Sequence, residues 1–170
     1  MTISKCFLTF CISTYIITPK DTDMELHHIT DITDPLARVI LDDPVRPHIP
    51  LEQRINEAAE ILILKAGEEV LAATCMQWLT EIPESEQDLI SMGKDKRVAV
   101  FYSIWSYSPG AGAALLTQAA EWLLKEYVDI KGIVTLSPQT AMAERFHMKN
   151  GARKRKTNQD TVNYEYYYKE

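Results

Sequence analysis

One α/β domain, a mixed central sheet flanked by helices, is the fold that the sequence predicts, and three observations carry the prediction. The chain has 170 residues, of which 46% are hydrophobic, enough for one ordinary core and too few for two full domains. Apolar residues alternate as in strands in some segments and follow helical spacing in others, and the two kinds interleave along the chain. No internal repeat or low-complexity segment interrupts that order.

Taken in order, Glu25 to Ile29 reads as a short strand, and Asp34 before Pro35 is a cap followed by a first-turn proline, which starts a helix running to about Leu41. A turn covers Asp42 to Pro50. Leu51, Ile55 and Ala58 or Ala59 have helical spacing, so a helix is expected over Leu51 to Ala59, followed by a strand over Glu60 to Lys65. Ala66-Gly67-Glu68 turns the chain into a hairpin partner, Val70 to Leu79. Ser85 to Met92 reads as a helical turn ended by Gly93. Arg97 to Tyr107 is the most apolar strand candidate, and after Ser108-Pro109-Gly110-Ala111-Gly112 a helix runs from about Ala113 to Tyr127. Its Leu115, Leu116, Ala119, Ala120, Leu123 and Leu124 form one stripe. Lys131 to Leu136 is a strand. Ser137-Pro138 repeats the cap-then-proline signature and predicts a helix from Pro138 to Lys149, closed by Asn150-Gly151. Two strands finish the domain, Ala152 to Thr157 and Thr161 to Tyr168, the second with Val162, Tyr164, Tyr166 and Tyr168 on one face.

Residues 1–23 read as an N-terminal extension to a domain covering 24–170. The apolar run after Lys5 is shorter than the roughly 20 residues that span a bilayer, and no small-x-small cleavage site precedes Pro19. A cytoplasmic location without a membrane partner is therefore expected. With 18 basic and 24 acidic residues, a net charge of −6 argues against a nucleic-acid partner and leaves phosphate affinity to local features. The three cysteines, Cys6, Cys11 and Cys75, have neither disulfide-scaffold numbers nor zinc spacing, so no metal is expected.

Four features are able to carry chemistry. Gly110, Ala111, Gly112 and Ala113 place small residues at a helix start, where backbone N–H groups and the helix dipole favour an anion. The same glycines also suit a tight strand-to-helix turn, and the loop fits neither common nucleotide fingerprint. Ser137 stands between a strand and a helix, as a ligand donor or as a simple cap. His147 sits in RFHMKNGA, facing the sheet or its edge. Lys149, Arg153, Lys154, Arg155 and Lys156 form the one basic cluster, and strand alternation splits it between two faces.

The order of elements, Tyr107 to Ala113, and the segment Thr140-x-x-Ala143-x-x-Phe146-His147-x-x-Asn150-Gly151 resemble the GNAT acyl-CoA superfamily. That resemblance implies a pyrophosphate-binding loop at Tyr107 to Ala113, with Tyr107 where the family has Gln or Arg, Thr140 where it has Asn, and His147 where it has Tyr. A narrower resemblance accounts for these departures. VLAATCMQWLTEIPESEQDLI, VAVFYSIWSYSPG, VTLSP, FHMKNGA and VNYEYYYKE look like the GNAT-fold catalytic domain of malonyl-CoA decarboxylase, in the same order over roughly Val70 to Glu170.

The resemblance implies Ser137 and His147 as a catalytic pair, and Ser103 on the strand lining the thioester. Tyr107, Gly110, Ala111, Gly112 and Ala113 would hold CoA. The implied reaction is conversion of malonyl-CoA to acetyl-CoA and CO2, with N-acyl transfer from acetyl-CoA to an amine as the alternative. The CoA thioester is the only small-molecule partner implied, no further cofactor is expected, and homo-oligomerisation is left open. The chain departs from the family in lacking its helical domain and its long insertion before FHxxNGA, and in replacing its glutamine- and glycine-rich loop with YSPGAGAA. A straight helix between Ser137 and His147 would separate them by about 15 Å of rise. Either the helix starts later and folds back, or the two residues touch different parts of the acyl group.

Overall fold

The computed structural model describes residues 23–170. The expected extension therefore lies outside the described residues, except for Asp23, as do Cys6 and Cys11. Eight strands form one mixed sheet: β1 (Met24–Ile29), β2 (Ala59–Ala66), β3 (Glu69–Leu79), β4 (Val98–Ser106), β5 (Gly132–Thr135), β6 (Ser137–Pro138), β7 (Arg153–Thr157) and β8 (Thr161–Tyr168). A 3₁₀ helix (Pro35–Asp42) and the short helices α1 (Leu51–Arg54) and α2 (Asp88–Ser91) cover one part of it. The longer α3 (Ala111–Glu126) and α4 (Ala141–Lys149) follow β4 and β6. Among the described residues no helix is long and apolar enough to cross a membrane.

The sheet has a layer of side chains on each face, which is why β2, β3 and β4 read as near-continuous apolar runs. Ile61, Ile63, Cys75, Val100 and Val134 pack with Ala37 and Leu89 from the short helices and with Ile49 and Ile55, which flank α1. Leu62, Met76, Ala99, Phe101 and Ile133 pack under Leu115, Leu116, Ala119 and Leu123, the stripe expected on α3.

Two interruptions of the sheet create the site. Cys75 pairs with Ser103 but Met76 pairs with Phe101, so Tyr102 is an extra residue that bulges β4. β5 runs parallel to β4 only from Val98 to Phe101, and the Leu136 N–H to Phe101 carbonyl bond (2.9 Å) is the last between them. Beyond it the chain follows β8 instead. Val134 opposes Glu165 and Ser137 opposes Val162, so β5 and β6 are successive stretches along one edge of β8. A cleft opens where β4 and β6 part.

Several boundaries differ from expectation. α1 stops at Arg54 because the Asn56 side chain accepts from the Ala58 N–H (2.9 Å) and turns the chain into β2. Ser137 is no cap: it is paired in β6, with Pro138 in a two-residue segment where its missing N–H is tolerated. The cap of α4 is Thr140, whose hydroxyl accepts from the Ala143 N–H (3.2 Å). α3 begins two residues early, at Ala111, on a Gly110 with φ of +78°.

Candidate active site

Because α4 starts at Ala141, residues 138–140 reverse the chain and return the helix across β6. Ser137 and His147, both 4–5% exposed, come together: Ser137 Oγ lies 3.1 Å from His147 Nε2. The Ser137 hydroxyl also meets Thr135 Oγ1 at 2.8 Å, and Thr135 Oγ1 in turn accepts from the Tyr164 N–H at 3.1 Å. The other ring nitrogen, His147 Nδ1, lies 2.8 Å from the Tyr166 hydroxyl. Tyr164 stacks on the imidazole with ring centres 4.7 Å apart.

Burial pushes the His147 pKa down to about 4, so the ring is neutral at pH 7. Burial likewise raises the Tyr166 phenol well above its ordinary value. A neutral imidazole has one donor and one acceptor nitrogen, and here each faces a hydroxyl. The ring can therefore pass a proton between Tyr166 and Ser137 by exchanging tautomers.

Ser137 and His147 line a cleft of about 530 Å³ whose walls include Pro44, Val45, Ile104, Trp105, Met142 and Phe146. Among the described residues no Lys, Arg, Asp or Glu lines it. Gly112 also lines it, and a Cβ there would stand 3.5 Å from the Phe146 ring, so the cleft reaches the first turn of α3. No side chain caps α3. Ala111 N–H bonds the Ser108 carbonyl and Ala114 N–H the Gly110 carbonyl, while the Gly112 and Ala113 N–H groups have no acceptor among the described residues. Open N–H groups at a helix start can hold an anion; of the expected loop residues only Gly112 lines the cleft, and Gly110, Ala111 and Ala113 do not.

The remaining expected site residues lie elsewhere. Ser103 is buried on β4 but is not among the residues lining the cleft, and its hydroxyl has no partner. Tyr107 also lies off the cleft, where its hydroxyl donates to Asp42 (2.7 Å) and accepts from the Trp105 indole (3.0 Å). The basic cluster is occupied by carboxylates: Arg153 and Arg155 share Glu165, Lys154 pairs with Glu144, and Lys156 with Glu84. Among the described residues no group of three or more His, Cys, Asp or Glu is placed to hold a metal.

Sequence reasoning missed Tyr166 and Thr135 as neighbours of the pair. The alternation of VNYEYYY put Tyr166 on the same face as Tyr164, but a partner 19 residues away on α4 has no local signal.

No protein-family model and no curated protein matches the chain. Among solved structures, the chain is similar to malonyl-CoA decarboxylase from Agrobacterium vitis, with 24% identity and a TM-score of 0.60 over 74% of this chain and 36% of that one. It thus spans about a third of the length of that protein. An acetyltransferase from Bacillus subtilis in complex with CoA matches with 14% identity and a TM-score of 0.58, over 84% of this chain and 97% of that one. A GNAT-family protein from Desulfovibrio desulfuricans matches over the same shares, with 11% identity and a TM-score of 0.56. On these matches the chain has the GNAT fold, in a form that resembles malonyl-CoA decarboxylase.

Proposed function

We propose that this chain is an acyl-CoA enzyme that decarboxylates malonyl-CoA to acetyl-CoA and CO2. The observation that carries the reading is the Ser137 Oγ to His147 Nε2 contact of 3.1 Å in an apolar cleft that runs to the start of α3. The pyrophosphate sits on the Gly112 and Ala113 N–H groups, and the acyl end enters between β4 and β6. There the malonyl carboxylate meets no cation. Its charge is better tolerated once it spreads onto the thioester oxygen, because the apolar walls give the localised carboxylate no hydration.

In the reaction the carbon–carbon bond to the carboxylate breaks, its electron pair forms an enolate on the thioester, and CO2 leaves. The Ser137 hydroxyl donates to the enolate oxygen or delivers its proton to the carbon. His147 returns a proton to Ser137 from Nε2 while Nδ1 takes one from the Tyr166 hydroxyl, which regains its own from water, and the neutral ring ends as the other tautomer. The thioester bond survives, so no thiolate needs an acid.

The second reading, N-acyl transfer to an amine, is supported by the near-complete coverage of the acetyltransferase neighbours. One experiment separates the two: purified protein is incubated with malonyl-CoA or acetyl-CoA, with and without amines, following acetyl-CoA, CO2 and free CoA. Decarboxylation yields acetyl-CoA and CO2 without free CoA. Free CoA that appears only with an amine assigns the transferase instead. Ser137→Ala should lower malonyl-CoA turnover by about 10²–10³-fold with CoA affinity unchanged. Full activity in that variant removes Ser137 from the mechanism.

A further inference from the structure

Once β4 parts from β5, the carbonyl of the bulged residue Tyr102 needs a new donor, and a side chain from outside the sheet supplies it. Arg46 Nη1 donates to the Tyr102 carbonyl, and Arg46 Nε donates to Glu86 Oε2 at 3.1 Å. The guanidinium is 6% exposed. Its own backbone is fixed as well. Asp43 Oδ1 accepts from the Val45 and Arg46 N–H groups at 2.7 and 3.1 Å, and Asp43 Oδ2 takes Arg54 Nη1 at 2.6 Å. Arg54 has no exposed surface and reaches on to the Arg46 carbonyl at 2.5 Å. Pro44 and Val45, the residues just before Arg46, are a wall of the cleft.

We infer that Arg46 is a positioning residue of the active site. It takes the place of the strand that β4 lacks beyond Phe101, and it holds the Pro44–Val45 wall at a fixed distance from the bulge. A buried charge is a poor device for stability alone, since an apolar side chain of similar volume often serves as well or better. A planar fork that bonds a carbonyl and a carboxylate at once is a device for geometry. The width of the cleft sets how the acyl group meets Ser137 and His147, whereas no hydrogen bond of Arg46 reaches the α3 end proposed to hold CoA. This inference rests on the proposed function for its kinetic consequence and on the fold alone for its structural one.

The test compares wild type with Arg46→Met and Arg46→Lys by hydrogen exchange, CoA affinity and malonyl-CoA turnover. In folded variants exchange should rise in residues 43–50 and 102–106 and stay unchanged in β1 and β2. Turnover should fall by about tenfold to a hundredfold, as for a reacting group displaced by a fraction of an ångström, with CoA affinity within about twofold. Lys, which retains the charge but not the fork, should rescue little. If Arg46→Met does not fold, Glu86→Gln releases one of the two tethers and should give the same pattern in weaker form. Unchanged exchange in both segments overturns the inference. So does raised exchange with unchanged turnover, and so does CoA affinity that falls in step with turnover, since that marks general loss of structure. If wild type turns over no malonyl-CoA, the decarboxylase reading fails, and the exchange pattern by itself decides the role of Arg46.

Discussion

Lowering the pH from 7 to 5 should destabilise the native protein through His147 by an amount that the burial of its ring sets. In the unfolded chain the imidazole titrates near its ordinary value of 6.5, and in the native state near about 4. Between those values the unfolded chain takes up a proton that the native protein refuses, so acid favours unfolding. The full difference of about 2.5 units corresponds to about 3 kcal/mol, and roughly 2 kcal/mol of it is lost by pH 5. Above pH 7 neither state is protonated and the contribution to pH dependence vanishes. Urea denaturation at a series of pH values, on wild type and on His147→Gln, isolates this contribution, because the exposed carboxylates and the other three histidines are common to both proteins. The wild-type curve should fall more steeply between pH 6.5 and 5. Parallel curves would refute the claim that the native ring stays neutral. Turnover gives an independent check: a relay that needs neutral imidazole holds its rate through pH 6.5 and loses it only near pH 4.

Substitutions at two further positions probe the α3 end of the cleft and the segment behind its Pro44–Val45 wall. Gly112→Glu should abolish CoA-thioester binding by placing a carboxylate where the pyrophosphate sits, whereas Gly112→Ala, whose Cβ meets Phe146 at an ordinary 3.5 Å, should bind and fold normally; calorimetric titration with CoA checks both. Asp43→Ala leaves the fully buried Arg54 guanidinium without its counter-ion and should cost about 3–5 kcal/mol in urea denaturation; a loss below 1 kcal/mol would show that the ion pair is not what fixes the 43–50 segment.

Much of this fold is legible in the sequence, because apolar periodicity reports burial directly. The β4 run and the α3 stripe are read correctly for that reason, except that Leu124, counted in the stripe, is 42% exposed. The errors fall where a local signal had two structural uses. Ser137-Pro138 matches a helix start, yet the pairing of Ser137 with Val162 is a contact across 25 positions that no local pattern encodes. Ile55, Ala58 and Ala59 keep helical spacing, but Asn56 offers the backbone a competing turn. The Ser137 and His147 pair emerges from short strings in register, while its closure depends on where α4 begins, which Thr140 decides. Arg46 and Arg54 are invisible as site residues because the first stands in a stretch that reads as a turn and the second in one that reads as a helix, and charged side chains in either are ordinarily solvated. Only a structure shows that Arg54 is sealed and that Arg46 replaces a missing strand.

β8 touches more of the site than its position at the end of the described chain suggests. It pairs with β5, β6 and β7, and it brings Tyr164 and Tyr166 against the two sides of the His147 ring. Without β8, Ser137 would have no strand to pair with, and the His147 ring would lose the Tyr164 face and the Tyr166 hydroxyl that cover it. The imidazole's low basicity therefore depends on the pairing of β8 and not on α4 alone.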